Sequence, residues 1–258
     1  MAAAGTVYLM YHELEAEGRA PTHGDPGYVR YVVASDDFER QMEWLSRGGW
    51  RGKSLTHALG AAGPQEIVLT FDDGCETDLT IAAPILKRHN FTATFYVTVG
   101  YIGKPGYLSA AQVRDLCNLG FDVGCHSMTH AYLAGLPISQ LSDEVAFAKI
   151  RLQQITGRRV DHFSCPGGRC DWRVVRMATD AGYLSLATSR AAINRPSTNA
   201  FALGRVAVMR NTTLENFQRL CRGEGLWRLQ ARDLASSAAK RILGNSRYDR
   251  VRASLLNH

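Results

Sequence analysis

An α/β fold with a parallel sheet closed into a single distorted (β/α)7-type barrel is predicted by three observations. Short apolar segments alternate with segments of helical periodicity, and this alternation is typical of parallel sheets. About seven strand–helix units in roughly 220 residues favour one closed or nearly closed barrel. The side chains best suited to chemistry directly follow apolar segments, and such barrels carry their chemistry at the carboxyl ends of the strands.

The strands are predicted from apolar or β-branched segments bounded by turn residues. The first, Thr6–Tyr11, precedes a loop rich in Gly and Pro between residues 13 and 30. The second, Glu66–Phe71, stops at Asp72-Asp73-Gly74. The others are predicted over residues 92–99, 121–125, 160–164, 183–188 and 205–208.

The helices are predicted from apolar spacing and from the residues at their ends. Ser35 is expected to cap the first helix, and Gly48-Gly49 is expected to end it. Ser109 is expected to cap a helix that runs to Leu119. The others are predicted over residues 77–89, 139–156 and 171–181, with Thr213 opening the last ones.

Charge is distributed unevenly along the chain and divides it into two regions. The 258 residues are 45% hydrophobic and 21% charged, a composition typical of a globular protein. Residues 218–258 hold nine Lys or Arg against three Asp or Glu, which accounts for the whole net charge of +6. We therefore predict a barrel over residues 1–217 and a basic, partly amphipathic helical extension over residues 218–258. The neutral barrel gives no reason to expect a nucleic-acid partner.

Two environments are open to the extension. A helix packed over the bottom of the barrel is favoured over peripheral contact with an anionic membrane surface.

The six cysteines form no C-x-x-C pair, so we expect them to be reduced. No signal peptide or membrane-spanning segment is recognised, and a cytoplasmic location is expected.

Two pairs of polar side chains follow predicted strands. The neighbouring carboxylates of Asp72 and Asp73 repel each other unless a cation lies close, although either could instead cap the next helix. His126 and His130 are four residues apart, and on a helical turn this spacing places both imidazoles on one face. Eight histidines make such a spacing common by chance, so the histidine pair alone is a weak signal. Together the pairs predict a metal site on the catalytic face.

These residues resemble the motifs of the polysaccharide deacetylases, the carbohydrate esterase family 4 with the NodB-like fold. Thr70-Phe71-Asp72-Asp73-Gly74 matches the family's T-F-D-D-G motif, and His126-Ser127-x-x-His130 matches H-[ST]-x-x-H. Phe163-x-x-Pro166-x-Gly168 is similar to its R-x-P-x-G region. The resemblance covers residues 5 to 220, and the first two motifs together are highly specific.

The resemblance implies a role for each matched residue. Asp72 would be the general base, and Asp73, His126 and His130 would bind a divalent metal, zinc in most members. The backbone N–H of Gly167 would stabilise the oxyanion.

The chain departs from the family pattern at two positions. Ser164 stands where the third motif has an Arg, and Leu203-Gly204-Arg205 stands where a later motif has Leu-x-His. Leu203-x-Arg205 and Met10-Tyr11-His12 resemble the permuted branch that includes the poly-N-acetylglucosamine deacetylases. The resemblance therefore implies that His12 is the general acid, and we hypothesise that Arg205 pairs with Asp72. The alternative for His12 is a buried strand-end histidine with one hydrogen bond.

Aromatic residues near the predicted strand ends are candidates for contact with a sugar ring. Tyr28 and Tyr31 lie in the loop after His12, and Tyr101 and Trp172 follow later strands. At least one of the two loop tyrosines could instead pack the loop down.

The function expected is metal-dependent removal of the acetyl group from an N-acetylhexosamine in a glycoconjugate, a lipid-linked sugar or a natural product. The alternatives are deacetylation of a polymeric N-acetylglucosamine polysaccharide and a non-catalytic carbohydrate-binding relic of the fold.

Overall fold

One curled, mostly parallel sheet of nine strands organises the residues described by the computed structural model, which are 5–60, 63 and 65–231. The strands of this part, including two that form a separate small sheet, are β1 (Thr6–Tyr11), β2 (Leu14–Glu15), β3 (Val33–Ala34), β4 (Arg51–Lys53), β5 (Glu66–Phe71), β6 (Thr94–Val97), β7 (Asp122–Cys125), β8 (His162–Ser164), β9 (Ser185–Ala187), β10 (Ile193–Asn194) and β11 (Val206–Ala207). Its α-helices are α1 (Pro26–Val29), α2 (Ser35–Arg47), α3 (Leu55–Gly60), α4 (Ala83–Arg88), α5 (Ala110–Asn118), α6 (Ile138–Ser142), α7 (Ala148–Thr156), α8 (Trp172–Asp180) and α9 (Leu214–Cys221). Wider π-helical turns, Asp78–Ala82 and Asp143–Phe147, lead into α4 and α7.

The sheet has the strand order β10-β1-β5-β6-β7-β8-β9, with β11 also paired to β1 and β4 to β5. A bridge between Ala187 and Leu203, followed by β11 on β1, connects the last parallel strand back towards the first. This arrangement confirms the predicted parallel α/β barrel of the NodB-like type.

The register of the strands brings the polar segments to one edge. In the β1–β5 pair Tyr11 lies opposite Phe71, and in the β6–β7 pair Val97 lies opposite Cys125. The residues that follow, His12, Asp72 and His126, therefore start at the same edge of the sheet. Because all these strands are parallel, this edge is formed by their carboxyl ends.

The core explains why β1 and β5 are mostly apolar, with Thr6, Glu66 and Thr70 as their polar residues. Every residue of both strands is buried, as expected for parallel strands covered on both faces. Tyr11, Phe71 and Phe95 form a column of stacked rings with centroids 5.2 and 4.8 Å apart. Burying each of these rings contributes about 1.5–3 kcal/mol to the stability of the strand ends.

The predicted helix starts are correct at Ser109 and wrong at Ser35. The Ser109 hydroxyl accepts from the Gln112 N–H, and the Gln112 side chain accepts from the Ser109 N–H, which is a complete capping box. Ser35 is instead the first residue of α2, and the cap is Ala34. The reason is that Ala34 ends β3, so the chain passes from strand to helix without a capping turn.

The helix α9 crosses the boundary expected at residue 217. Phe217 is fully buried and packs edge-on against Trp44 of α2, with the ring centroids 6.1 Å apart. Residues 232–258 lie outside the described part, so both environments considered for the basic extension stay predictions.

No helix among the described residues is long and apolar enough to cross a membrane. All six cysteines are free, as expected, and the cytoplasmic location remains a prediction.

Candidate active site

Three side chains converge at the carboxyl edge of the sheet, namely Asp73, His126 and His130. Asp73 Oδ1 lies 3.5 Å from His126 Nε2 and 3.3 Å from His130 Nε2. Ligand atoms from all three lie within 4.8 Å of one another. Asp73 and His126 are buried, whereas the side chain of His130 is 32% exposed, so the group is open towards solvent on one side.

The backbone around these residues is unusual. Asp73, Ser127 and His130 have φ angles of 80°, 69° and 65°, which place non-glycine residues in the left-handed region. Such conformations cost of order 1–3 kcal/mol each and persist where surrounding contacts impose them. The expectation that His126 and His130 lie on a helical turn is therefore wrong, because the chain between them forms a bent loop.

Hydrogen bonds hold this loop in place. The Ser127 hydroxyl accepts from the His130 N–H at 2.9 Å. The buried carboxylate of Glu144 accepts from the N–H groups of Met128 and Thr129 at 3.0 and 2.9 Å, and also from the Thr129 hydroxyl. The two imidazoles are therefore oriented by contacts with distant residues rather than by helical spacing.

The two histidines differ in the direction in which their surroundings shift the pKa. His126 Nδ1 donates to the Ser164 carbonyl at 2.9 Å, which leaves Nε2 facing Asp73. Burial lowers the pKa of His126 to about 4, so its imidazole is neutral near pH 7. Burial also lowers the pKa of His130, but the hydrogen bond and charge of Asp73, together with the charges of Asp72 and Glu144, outweigh it, and the net change is upwards.

Two observations test whether these residues fit a metal ion. Asp73 Oδ1 is buried and accepts no hydrogen bond from the described residues, so it is a polar atom whose burial needs compensation. A tetrahedral zinc site with bonds of about 2.0–2.2 Å would separate its ligand atoms by about 3.3–3.6 Å, which matches the two distances from Asp73 Oδ1. One carboxylate and two imidazole nitrogens are also a donor set that zinc accepts. The residues fit the metal that the sequence predicts.

The neighbouring Asp72 is bound by a guanidinium. Arg205 Nη1 donates to Asp72 Oδ1 at 2.7 Å and Nη2 donates to Oδ2 at 2.8 Å. Nη2 also donates to the Ser164 hydroxyl at 2.8 Å. Burial raises the pKa of Asp72, but the charges of Arg205 and His126 and the hydrogen bonds from Arg205 together outweigh it and hold the pKa below its usual value, so Asp72 is a carboxylate at neutral pH. The hypothesised Arg205–Asp72 pairing is thus present in the structure, and Ser164 leaves room for it.

The third motif forms a tight turn beside this pair. Gly167 has a φ of +60°, and a Cβ at this position would lie 2.8 Å from the Tyr132 ring. The N–H groups of Gly168 and Arg169 donate to Cys165 and Pro166, whereas that of Gly167 has no acceptor in the described part of the chain. The Gly167 N–H is therefore free to donate to a bound oxyanion.

His12 lies at the end of β1, next to the acidic pair. It is half-buried, and its ring packs against that of Tyr31 at a centroid distance of 4.7 Å. The charge of His12 contributes to lowering the pKa of both Asp72 and Asp73, which places it near them.

The remaining aromatic candidates differ in their surroundings. Tyr28 is half-buried, and its hydroxyl donates to Glu13 at 2.9 Å, so it packs the loop down. Tyr101 stacks on His130 with centroids 6.1 Å apart. Trp172, the first residue of α8, is 71% exposed. Tyr101 and Trp172 thus stay candidates for substrate contact, while the hydroxyl of Tyr28 is already engaged.

Several residues that shape the site were not predicted from the sequence. Glu144 is a carboxylate on the buried side of its helix, beside Leu141 and Val145, and this break in the apolar face is a signal that could have identified it. Tyr132, which packs on Gly167, and Glu13 carry no comparable signal. The contact of Tyr132 joins segments that are distant in the sequence, whereas Glu13 binds residues 6 to 15 positions away.

Comparison with known proteins identifies similar chains. Residues 60–186 match the model of the polysaccharide deacetylase family. YxkH of Bacillus subtilis, assigned by its name to the polysaccharide deacetylases, is 27% identical over 68% of this chain and 65% of its own length. The peptidoglycan-N-acetylglucosamine deacetylase of Bacillus cereus is 26% identical over 60% of this chain and 57% of its own. The chain thus spans less than two thirds of the length of these curated relatives.

The fold is also found in a solved structure. The deacetylase PplD of Streptococcus pyogenes, determined in complex with acetate, superimposes with a TM-score of 0.75 over 85% of this chain and 99% of its own. The two sequences are 21% identical, so this likeness concerns the fold alone.

Proposed function

Because residues 60–186 match the model of the polysaccharide deacetylase family, we propose that the chain is a metal-dependent hydrolase that removes the acetyl group from an N-acetylhexosamine. The observation that carries this proposal is the pairing of two neighbouring acids with different partners. Asp73 faces His126 and His130, whereas Asp72 is held by Arg205. One acid is therefore available as a metal ligand and the other as a base.

Asp73, His126 and His130 would hold the metal, with zinc as the proposed ion. When bound, a divalent metal supplies Lewis acidity that polarises the acetyl carbonyl and lowers the pKa of a water.

The chain's own residues perform the remaining tasks. Asp72 accepts a proton from the attacking water, and the bidentate bond to Arg205 holds its carboxylate in one orientation. The Gly167 N–H donates to the oxyanion that forms when the water adds to the carbonyl. His12 donates a proton to the sugar nitrogen as the C–N bond breaks, so acetate and a free amine leave.

The names of the family and of its relatives support the proposed class of substrate. We propose an N-acetylated sugar in a glycoconjugate, a lipid-linked sugar or a natural product. A polymer of N-acetylglucosamine is the second candidate, because a curated relative from Staphylococcus aureus, 26% identical over 38% of this chain, acts by its name on poly-β-1,6-N-acetyl-D-glucosamine. The complete set of Asp72, Asp73, His126 and His130 argues against a non-catalytic binding relic.

An assay of acetate release from N-acetylated monosaccharides, oligosaccharides and polymers tests the proposal. We expect acetate from at least one substrate, loss of activity after chelation and recovery with Zn²⁺. Asp73→Ala should abolish stoichiometric zinc binding, whereas Asp37→Ala, which removes an exposed acid of α2, should not. Full activity after chelation would overturn the metal dependence, and sugar binding without any acetate release would favour the binding relic.

A further inference from the structure

The ring of His12 is held in an uncommon way. Catalytic histidines are usually oriented by a hydrogen bond from the second ring nitrogen to a carboxylate or a carbonyl. Here Nδ1 of His12 is buried and has no hydrogen-bond partner among the residues that the structure describes. The aromatic contact of the imidazole is with Tyr31, at 4.7 Å and an interplanar angle of 39°. Packing against Tyr31 is therefore the contact that can set the direction of this imidazole.

Tyr31 belongs to a loop, residues 16–32, whose two ends lie next to each other. The loop begins after β2 and ends at β3, and these two strands pair with each other, Leu14 opposite Val33. The Val33 N–H also donates to the Glu13 carbonyl at 3.1 Å. Both ends of the loop are thus attached directly beside His12.

The middle of the loop is attached to the same point by one carboxylate. The side chain of Glu13 is only 1% exposed, and it accepts from the Arg19 guanidinium, from the Thr22 N–H at 2.9 Å and from the Tyr28 hydroxyl at 2.9 Å. A buried carboxylate needs such bonds, and their removal leaves a costly unpaired charge. Glu13, the residue after His12, therefore binds the loop at three positions.

The far side of the loop rests on a second segment of the site. His23 Nε2 lies 2.8 Å from the Tyr107 hydroxyl, and the Tyr107 ring packs on Tyr101 with centroids 4.6 Å apart. Tyr101 in turn stacks on His130. The loop is consequently held from both sides, and Tyr31 has little freedom to move away from His12.

We propose that Tyr31 and Glu13 are positioning residues for His12: Glu13 fixes the loop, and the loop holds the Tyr31 ring against the imidazole. This inference rests on the proposed function, because it assumes that His12 donates a proton to the leaving amine. In this arrangement Tyr31 acts through His12 rather than through the sugar.

A double-mutant cycle with acetate release as the readout tests the role of Tyr31. Tyr31→Ala should lower kcat about tenfold or more with little change in KM. The reason is that a misoriented general acid slows the proton-transfer step but does not weaken substrate binding. Tyr31→Phe, which keeps the ring, should retain most of kcat. In the His12→Ala background, Tyr31→Ala should have almost no further effect on kcat.

Two results would overturn the role of Tyr31. A rise in KM without a fall in kcat would mean that Tyr31 binds the sugar. Equal losses of kcat in the wild-type and His12→Ala backgrounds would mean that the ring acts independently of His12.

Limited proteolysis tests the role of Glu13 without any activity assay. Glu13→Gln should speed tryptic cleavage after Arg19 about tenfold, because local opening of the loop becomes easier when its buried bonds weaken. Glu15→Gln is the matched control, since Glu15 pairs with Arg210 at the surface, and it should cleave at the wild-type rate. Equal cleavage of both variants and the wild-type protein would overturn the anchoring role. If the wild-type protein released no acetate, the proposed function would fail, whereas the proteolysis would still decide whether Glu13 anchors the loop.

Discussion

The guanidinium of Arg205 uses all its donors inside the protein. Nε donates to the Thr188 carbonyl, Nη1 to Thr70 and Asp72, and Nη2 to Asp72 and Ser164. Arg205 is fully buried, so its charge is compensated only by these acceptors and by Asp72. A buried ion pair stabilises a fold only when its geometry and remaining hydrogen bonds are this complete. The pair therefore serves both folding and the orientation of the proposed base.

Removal of Arg205 should affect stability and pH dependence together. Arg205→Met should lower the free energy of unfolding by about 3–5 kcal/mol, because Asp72 is left as an unpaired buried charge. The pKa of Asp72 should rise, so the acid limb of the profile of kcat/KM against pH should move to higher pH. Denaturant unfolding and the pH–rate profile measure the two effects. In the double variant Asp72→Asn/Arg205→Met part of the lost stability should return, and a further additive loss would contradict the pairing argument.

At the scale of elements, the histidine loop depends on a neighbouring helix. Glu144 lies in the π-helical turn Asp143–Phe147 and is buried, yet its carboxylate accepts three hydrogen bonds from Met128 and Thr129. These bonds satisfy N–H groups that the bent loop leaves without secondary-structure partners. The helix thus fixes the distance between His126 and His130.

Loss of this support should weaken metal binding without removing a ligand. Glu144→Ala should lower the affinity for Zn²⁺ about 10–100-fold, the usual effect of losing a residue that orients metal ligands. Titration against a competing chelator measures this affinity. Asp143→Ala, which removes the exposed neighbouring acid, is the control and should bind as the wild-type protein does. Unchanged affinity in Glu144→Ala would mean that the loop keeps its shape without the helix.

At the scale of the whole molecule, the opposite end of the sheet carries a second polar cluster. His162 at the start of β8 is buried, and its ring nitrogens contact the Thr56 and Ser185 hydroxyls, each at 2.9 Å. Asp122 Oδ2 lies 3.9 Å from His162 Nε2, and Asp161 and Lys149 also influence the ring. Burial lowers the pKa of His162 below its ordinary value of 6.5. This histidine therefore resists protonation in the folded state.

The protein should consequently lose stability in mild acid. In the unfolded chain His162 takes up a proton as the pH falls below its ordinary pKa of 6.5, whereas in the folded chain it does so only at lower pH. The stabilising contribution is therefore complete above this pH and is lost as the pH falls towards the folded pKa. Denaturant unfolding at about pH 7.5 and pH 5 should show a smaller decline for His162→Gln than for the wild-type protein. The exposed His57 provides the control, because His57→Gln should decline like the wild type.

The placement of site residues that directly follow a strand could be predicted well from the amino-acid sequence. Asp72, Asp73 and His126 follow segments whose apolar character marks them as buried strands, and parallel strands must end at a common edge. The start of the helix at Ser109 could be predicted equally well, because its capping box spans only residues 109 to 112. The roles of these side chains in catalysis stay predictions.

By itself, then, the sequence determined the parallel α/β fold, the edge at which the acids and histidines gather, and the family whose motifs it resembles. Only the tertiary structure decided the bent loop between His126 and His130, the contact of Tyr31 with His12 and the full set of bonds around Arg205. The physical reason is the range of the interactions. Apolar periodicity and capping act over a few residues, whereas Glu144 and Arg205 reach partners 15 and 133 residues away. The sequence by itself does not specify the partners in such contacts, because they form only when the sheet has brought its strand ends together.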